Sequence, residues 1–221
     1  MGDEKLEEQQ LLVDELTSIA KEQAARITEK RCKAAKQVEK EMSERLVPLG
    51  IPKVRFEVNV LPDELSYDGA DKVVFLFSAN SSSPMRPVEQ VASGGEIARV
   101  MLSLKAMIGN AVELPTIIFD EIDTGVSGRV AEQMAQIMKE MGSNDRQVIS
   151  ITHLPQIAAL GTTHYKVAKE ETATGTASRM TLLDEEARVR EIAQMLSGSE
   201  VTQAAVDNAR ELIEKGKNNN V

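Results

Sequence analysis

The chain has 221 residues, enough for one large domain or for a domain with an appendage. Its net charge of −9 argues against a general nucleic-acid-binding surface, and its single cysteine, Cys32, excludes an internal disulfide and fits a reducing compartment. No stretch approaches the roughly 20 apolar residues of a membrane span, and the acidic N-terminus is unlike a secretory signal, so we expect a cytoplasmic protein with no membrane partner.

The first predicted element is a long helix, because no glycine or proline occurs between Asp3 and Val47. At about 1.5 Å per residue it would be on the order of 60 Å long, too long for one small core to cover. Half of an antiparallel coiled coil explains this length, and an ordinary surface helix is the alternative. Pro48 and Gly50 end the helix, and residues 1–50 form the predicted coiled-coil arm. Apolar residues recur on one stripe at Leu12, Leu16, Ile19, Ile27, Ala34, Val38, Met42 and Leu46.

After Gly50 the pattern changes, and residues 51–221 form the second predicted domain. Strands rich in β-branched residues alternate with helices there, which predicts an α/β fold with a mostly parallel sheet and flanking helices. The predicted strands are 54–60, 72–80, 117–120, 148–152, 164–169 and 178–184, and the predicted helices begin near residues 94, 129, 155, 185 and 201.

Ser93, Gly94, Gly95 and Glu96 stand where one of these helices is predicted to begin. A helix start offers unpaired backbone N–H groups and the positive end of the helix dipole, and glycines leave those groups unobstructed. That arrangement suits a phosphate group. The alternative is that the glycines only make a tight turn into the helix.

Two adjacent carboxylates, Asp120 and Glu121, end a strand that we expect to be buried. An Asp at that place can hold Mg²⁺ through water, and a neighbouring Glu can orient or deprotonate an attacking water molecule. A solvated pair of acids at a strand end is the alternative. The next apolar strand ends at His153; a lone histidine there is more often structural, but the carboxyl ends of parallel strands share one sheet edge. We therefore expect His153 near Asp120.

Together, "SGGE", "IIFDE" and "ITH", in this order, resemble the signature motif, the Walker B strand and the switch histidine of the ABC ATPase superfamily. The longer stretches "VASGGEIARVMLSLK", "IIFDEIDTGVSG" and "ITHLPQIAA" resemble the C-terminal part of the RecN family of SMC-like DNA-repair ATPases. The resemblance covers the chain from about Val54 to its end. Glu96, where transporters usually carry Gln, and the preceding long helix favour the SMC-like branch over transporters.

The resemblance implies a site that binds ATP and Mg²⁺ between two heads. Asp120 would support Mg²⁺, Glu121 would polarise the hydrolytic water, and His153 would contact the region of the γ-phosphate. ATP binding would join the two heads, hydrolysis would release them, and the coiled-coil arms would transmit the change.

The resemblance also implies contacts across a homodimer. Residues 123–128, which we call the interface loop, would cross the dimer interface. Transporters usually carry an Asp where Ser127 stands in this loop. The role of that Asp is not assigned to Ser127, and Asp123 is the nearby candidate for a contact with the bound nucleotide. The residues that would meet ATP bound on the opposite head are Ser93, Gly94, Gly95 and, next to them, Glu96.

A Walker A loop, G-x-x-x-x-G-K-[ST], does not occur in the chain: the one Gly-Lys pair is Gly216-Lys217, and Asn218 follows it. In the family that loop lies on an N-terminal lobe, so we expect this chain to be the C-terminal half of a longer ATPase and to be inactive alone. The expected partners are that lobe, a second head and, by the resemblance, DNA with double-strand breaks in the bacterial nucleoid. A non-catalytic interaction module and the nucleotide-binding subunit of a transporter are the alternatives.

Overall fold

The computed structural model describes residues 2–91, 93–108, 114–126, 128–142, 146–172, 175–198 and 200–218. The chain divides into two compact units, residues 1–97 and 98–221. The first unit contains a long helix, a small antiparallel sheet and the start of a second helix. Its elements are α1 (Gly2–Leu46), β1 (Arg55–Ser66), β2 (Gly69–Ser78), β3 (Arg86–Pro87), a 3-10 turn (Val88–Gln90) and the first residues of α2 (Gly94–Ile108).

Helix α1 confirms the prediction of a long N-terminal helix. Most of its residues are Glu, Lys, Gln, Arg, Ala and Leu, which all have high helix propensity. The helix ends at Leu46, two residues before Pro48, which has no N–H to continue the helical hydrogen bonds. Gly50 then adopts φ +83°, and the N–H of Ile51 donates to the carbonyl of Leu46 over 3.2 Å. A left-handed glycine with this hydrogen bond is a common way to close a helix.

The C-terminal part of α1 packs on the β1–β2 hairpin, and its apolar stripe is covered there. Ala35, rather than the predicted Ala34, is the buried residue at its turn of the helix. Nearer the N-terminus, the large apolar residues are exposed: Leu6, Leu11, Leu12, Val13, Leu16 and Ile19. The stripe therefore keeps an exposed seam over its first half, as an unpaired strand of a coiled coil would.

Two carboxylates attach α1 to the hairpin. Asp71 of β2 accepts a hydrogen bond of 2.8 Å from the hydroxyl of Thr28 and lies 3.1 Å from Nη1 of Arg31. Glu39 accepts a hydrogen bond of 3.0 Å from the backbone N–H of Val58, which lies on the edge strand β1. This bond from Val58 lowers the pKa of Glu39 below its ordinary value, because it stabilises the ionised carboxylate.

The second unit begins with two parallel strands, β4 (Thr116–Asp120) and β5 (Gln147–Ile151), which α3 (Gly128–Gly142) connects. The predicted α/β fold, with a parallel sheet, flanking helices and a long N-terminal helix, is confirmed. Within the described ranges the parallel sheet has two strands, and the other pairings are antiparallel, which the sequence periodicity did not specify. The remaining elements are α4 (Pro155–Leu160), β6 (Tyr165–Thr172), β7 (Gly175–Leu182), α5 (Glu185–Ser197) and α6 (Gln203–Asn218).

Strand β4 is buried on one face rather than on both. Ile117 and Phe119 are buried, whereas Ile118 between them is 61% exposed. On β5, Ile149 and Ile151 are exposed as well. Successive side chains of a strand point to opposite faces, and these three isoleucines together make one apolar face. The expectation of a buried strand before Asp120 was thus correct for alternate residues only.

The C-terminal helices have a core of their own. Asp184 begins α5, where its side chain accepts a hydrogen bond of 2.8 Å from the N–H of Ala187. The buried residues of this core are Ala159, Val189, Ile192, Ala193, Ala209, Leu212 and Ile213.

None of the helices in the described part of the chain combines the length and the apolar character that crossing a bilayer requires.

Candidate active site

The two adjacent carboxylates lie at the carboxyl end of β4, at the sheet edge where β5 also ends. Asp120 pairs with Ile151 in the parallel register, and the N–H of Glu121 donates to the carbonyl of Ile151 over 3.1 Å. Both acidic side chains are exposed. Glu121 has φ +46°, a left-handed conformation that is uncommon for a residue with a side chain. Backbone conformations of this kind are concentrated at functional sites.

A tight turn follows Glu121. The hydroxyl of Thr124 donates to the carbonyl of Glu121 over 3.0 Å, and the N–H of Val126 donates to the carbonyl of Asp123 over 3.1 Å. This turn forms the first part of the interface loop. Ser127, to which the role of the transporter Asp is not assigned, lies outside the described residues.

The side chain of Asp123, the candidate in the interface loop for a nucleotide contact, is buried. Its Oδ2 accepts hydrogen bonds from the hydroxyl of Thr152 and from the backbone N–H of His153, the latter over 3.3 Å. Its Oδ1 lies 3.4 Å from Nδ1 of His153, whose side chain is 65% exposed. The turn after β4 and the segment after β5 are therefore joined, and His153 stands at the same sheet edge as Asp120, as the strand order predicted.

Thr152 is the member of this cluster that sequence reasoning missed. Its hydroxyl donates to Asp123 and accepts a hydrogen bond of 3.0 Å from the N–H of Leu154. A small polar residue placed directly between an apolar strand and a candidate histidine was the available signal. What it bonds to depends on the tertiary structure, which the sequence pattern does not specify.

The residues Ser93–Glu96 belong to the first unit, where Ser93 precedes α2. The N–H of Ile97 donates to the carbonyl of Ser93 over 3.0 Å, and the N–H of Glu96 lies 3.4 Å from the Ser93 hydroxyl. Gly94 is exposed, and a Cβ added there would meet none of the described residues within 4 Å. Both Gly94 and Gly95 are helical, so a tight turn does not require glycine at either place. Room for an approaching group is the remaining advantage of glycine.

The exposed carboxylates of Asp120 and Glu121 suit Mg²⁺ better than they suit a metal whose ligands are all protein side chains. Among the described residues, no group of three or more His, Cys, Asp or Glu side chains could hold a metal ion. Mg²⁺ is usually bound through one or two carboxylates, with water and substrate phosphates as its other ligands. Asp120, with Glu121 beside it, offers oxygen donors of that kind at an accessible strand end.

The fold is similar to that of SMC head domains. An SMC head with a coiled coil and joint from Pyrococcus yayanosii matches with a TM-score of 0.61 and 23% identity, over 88% of this chain and 35% of that chain. A structure from work on ATP-driven dimerization and DNA-stimulated activation of SMC ATPases matches with a TM-score of 0.51 and 19% identity, over 77% of this chain and 98% of that chain. The chain therefore has the α/β fold of part of an SMC-type head, preceded by a long helix.

Curated relatives identify the family. The chain is 35% identical over 214 residues to the DNA repair protein RecN of Vibrio cholerae, covering 96% of this chain and 38% of that protein. It is 37% identical over 225 residues to RecN of Bacillus subtilis, covering 93% of this chain and 39% of that protein. No protein-family model matches the chain. The chain belongs to the RecN family, spans less than half the length of these relatives, and is consistent with their C-terminal portion.

Proposed function

We propose that the chain is the C-terminal lobe of an ATPase head that acts in the recombinational repair of DNA double-strand breaks. The observation that carries this proposal is the 3.1 Å hydrogen bond from the N–H of Glu121 to the carbonyl of Ile151. This hydrogen bond holds Asp120 and Glu121 beside the end of β5, and His153 lies two residues after that end. The role in DNA repair is transferred from the relatives, whose name states it.

Each of the three side chains has a distinct proposed role. Asp120 holds Mg²⁺, which when bound would neutralise charge on the phosphates. Glu121 orients the attacking water and accepts its proton, and its exposure leaves room for that water. His153 contacts the region of the γ-phosphate through its exposed ring. The exposed Gly94 and its neighbours accept the γ-phosphate of ATP bound on the opposite head.

The proposal also requires a second lobe with a Walker A loop. The exposed apolar face formed by Ile118, Ile149 and Ile151 supports such a lobe, because exposed apolar surface of this kind commonly marks an interaction site. The exposed seam of α1 supports an antiparallel coiled-coil partner in the same way. We propose that ATP joins two such heads and that hydrolysis releases them.

Replacing Glu121 by Gln in the full-length parent protein tests this function. The variant should bind ATP normally and lose turnover by about a hundredfold or more, because the amide cannot accept a proton from water. Glu132→Gln, at an exposed position on α3, is the matched control and should hydrolyse ATP at the parent rate. Turnover by Glu121→Gln at the parent rate would contradict the base assignment. A parent protein without any ATP turnover would favour the interaction module.

A calorimetric titration of the 221-residue chain with Mg-ATP tests whether this lobe is incomplete. Little or no binding is expected, because the chain lacks a Walker A loop and has a net charge of −9. Adding the N-terminal lobe, in trans or through a short linker, should restore both binding and turnover. Micromolar binding by the chain alone would reveal a phosphate site of another kind.

The repair role needs a test in cells. Replacing the parent gene by the Glu121→Gln allele should reduce survival after agents that break both DNA strands, and should leave growth without such agents unchanged. Equal survival of the parent and variant strains would show that double-strand break repair does not require ATP hydrolysis by this protein.

A further inference from the structure

The buried carboxylate of Asp123 stands out in the second unit. Its side chain is 1% exposed, whereas Asp120 and Glu121, its near neighbours in sequence, are exposed. Burying a carboxylate is costly unless hydrogen bonds or charges compensate for the lost water. The partners of Asp123 therefore indicate what this carboxylate does.

These partners all belong to the segment that follows β5. Oδ2 accepts from the Thr152 hydroxyl and from the His153 backbone N–H, so this oxygen fixes the backbone on which the histidine stands. Oδ1 makes no hydrogen bond of normal geometry with the described residues, and it faces Nδ1 of His153 at 3.4 Å. A small rotation of the largely exposed ring would bring Nδ1 within hydrogen-bond distance.

We propose that Asp123 is a positioning residue for His153, an inference that rests on the proposed function. An ionised carboxylate only accepts hydrogen bonds, so the ring nitrogen that faces Oδ1 is the one that carries a proton. The proton is thereby held on Nδ1, and Nε2, on the other side of the ring, is the nitrogen presented to the nucleotide. Asp123 thus acts through the histidine rather than by touching ATP itself.

The same carboxylate belongs to the turn that begins at Glu121. The hydroxyl of Thr124 closes this turn by donating a hydrogen bond to the carbonyl of Glu121. Within the turn, the carboxylate of Asp123 accepts hydrogen bonds from Thr152 and His153. Asp123 therefore fixes the position of Glu121, which we propose activates water, relative to His153, which we propose meets the γ-phosphate. Displacement of catalytic groups by about 1 Å can lower turnover roughly a hundredfold.

The tautomer of His153 can be measured in the 221-residue chain without nucleotide. The chain has two histidines, so a long-range ¹H–¹⁵N correlation spectrum recorded at about pH 8, above the ordinary imidazole pKa of about 6.5, resolves them readily. His153 should carry its proton on Nδ1 in the wild type. A wild-type His153 with its proton on Nε2 would overturn the proposal, and this measurement needs no variant that must fold.

Asp123→Asn should change that tautomer. The amide oxygen should stay on the side of the His153 N–H and the Thr152 hydroxyl, because an NH₂ group there would face another donor. The amide NH₂ then faces Nδ1, which must accept, and the proton moves to Nε2. Asp207→Asn, at an exposed position on α6, is the matched control and should leave the His153 signals unchanged. An unchanged tautomer in folded Asp123→Asn would contradict the proposal.

A double-mutant cycle in the full-length parent protein tests positioning during turnover. Asp123→Asn should lower kcat by up to about a hundredfold with little change in KM for ATP, and the double variant with His153→Ala should be no slower than His153→Ala alone. Independent losses that multiply would overturn the positioning role. Normal turnover by His153→Ala would instead overturn the use of His153 in the proposed function, so the two failures are distinguishable.

Discussion

The guanidinium of Arg31 and the carboxylate of Asp71 tie the long helix to the hairpin, with 3.1 Å between Nη1 and Oδ2. The Asp71 side chain is only 4% exposed, and the Thr28 hydroxyl donates to the same carboxylate. The other guanidinium nitrogen, Nη2, donates to the carbonyl of Asp68 over 2.8 Å. One arginine therefore compensates a buried charge and fixes the turn between β1 and β2.

Removing this arginine should destabilise the first unit. Arg31→Ala leaves the buried Asp71 carboxylate without its cation, and we expect the free energy of unfolding to fall by about 1–3 kcal/mol. Lys33→Ala, which breaks an exposed pair with Glu29, should change it by less than about 0.5 kcal/mol. Urea unfolding followed by far-ultraviolet circular dichroism measures both. Equal effects of the two substitutions would show that the Arg31–Asp71 contact contributes little.

Gly69 should not tolerate a side chain. It adopts φ +123°, and a Cβ at this position would lie 3.0 Å from Nη1 of Arg31. Gly69→Ala should therefore lower the free energy of unfolding by about 1–3 kcal/mol. Gly94→Ala is the matched control, because Gly94 is helical and a Cβ there would meet none of the described residues. If Gly94→Ala proves as destabilising as Gly69→Ala, the conformational explanation fails.

A bulky cation at Ser93, just before α2, should block head engagement. Ser93→Arg places a large side chain where we propose that a phosphate meets the backbone amides of this helix start. The full-length variant should bind ATP on its own Walker A loop but form no ATP-dependent dimers, as measured by light scattering. Ser81→Arg, at an exposed loop position in the same unit, should dimerise normally. Normal ATP-dependent dimers of Ser93→Arg would remove the argument for a shared site at this turn.

His164 should make the second unit less stable in mild acid. Burial lowers its pKa below the ordinary value, and the positive charges of Arg188 and Lys166 lower it further, while Glu191 acts in the opposite direction. The unfolded chain therefore takes up the proton first as the pH falls below about 6.5, and native-state stability decreases. Above the pKa that His164 has in the unfolded chain, this loss of stability does not occur.

The pH dependence can be measured by urea unfolding at about pH 7.5 and about pH 5.5. Wild type should lose stability relative to His164→Gln between these values, by no more than about 1.4 kcal/mol per pH unit. His164→Gln removes the titration of His164 and keeps the other titrating groups, so the difference between the two proteins reports on His164 alone. Parallel pH profiles of the two proteins would show that His164 does not contribute.

Local patterns predicted the elements, and tertiary contacts decided the rest. The run without glycine or proline was sufficient to predict α1, and the parallel order of two apolar strands was sufficient to place His153 at the edge where Asp120 lies. The roles of these residues stay predictions. Strand β1 continues to Ser66, beyond its predicted end at residue 60, and contains Pro62, which an edge strand tolerates.

Two features could not be found from the pattern. The exposure of Ile118 depends on what covers each face of the sheet, and an apolar strand has the same sequence whether one face or both are covered within the chain. The burial of Asp123 depends on Thr152 and His153, which are distant in sequence and meet it only after β4 and β5 have paired. Short-range spacing contains no information about either.

The attachment of α1 near one end gives it the properties of a lever. Its 45 residues correspond to a length of roughly 68 Å, and about 44 Å of that extends from Arg31 to the first residue. A tilt of about 10° at the hairpin would displace the far end by roughly 8 Å, given this length. Small rotations beside Asp71 are thereby magnified at the exposed seam, and a stiff attachment through buried ionic contacts transmits them with less loss than a flexible linker would.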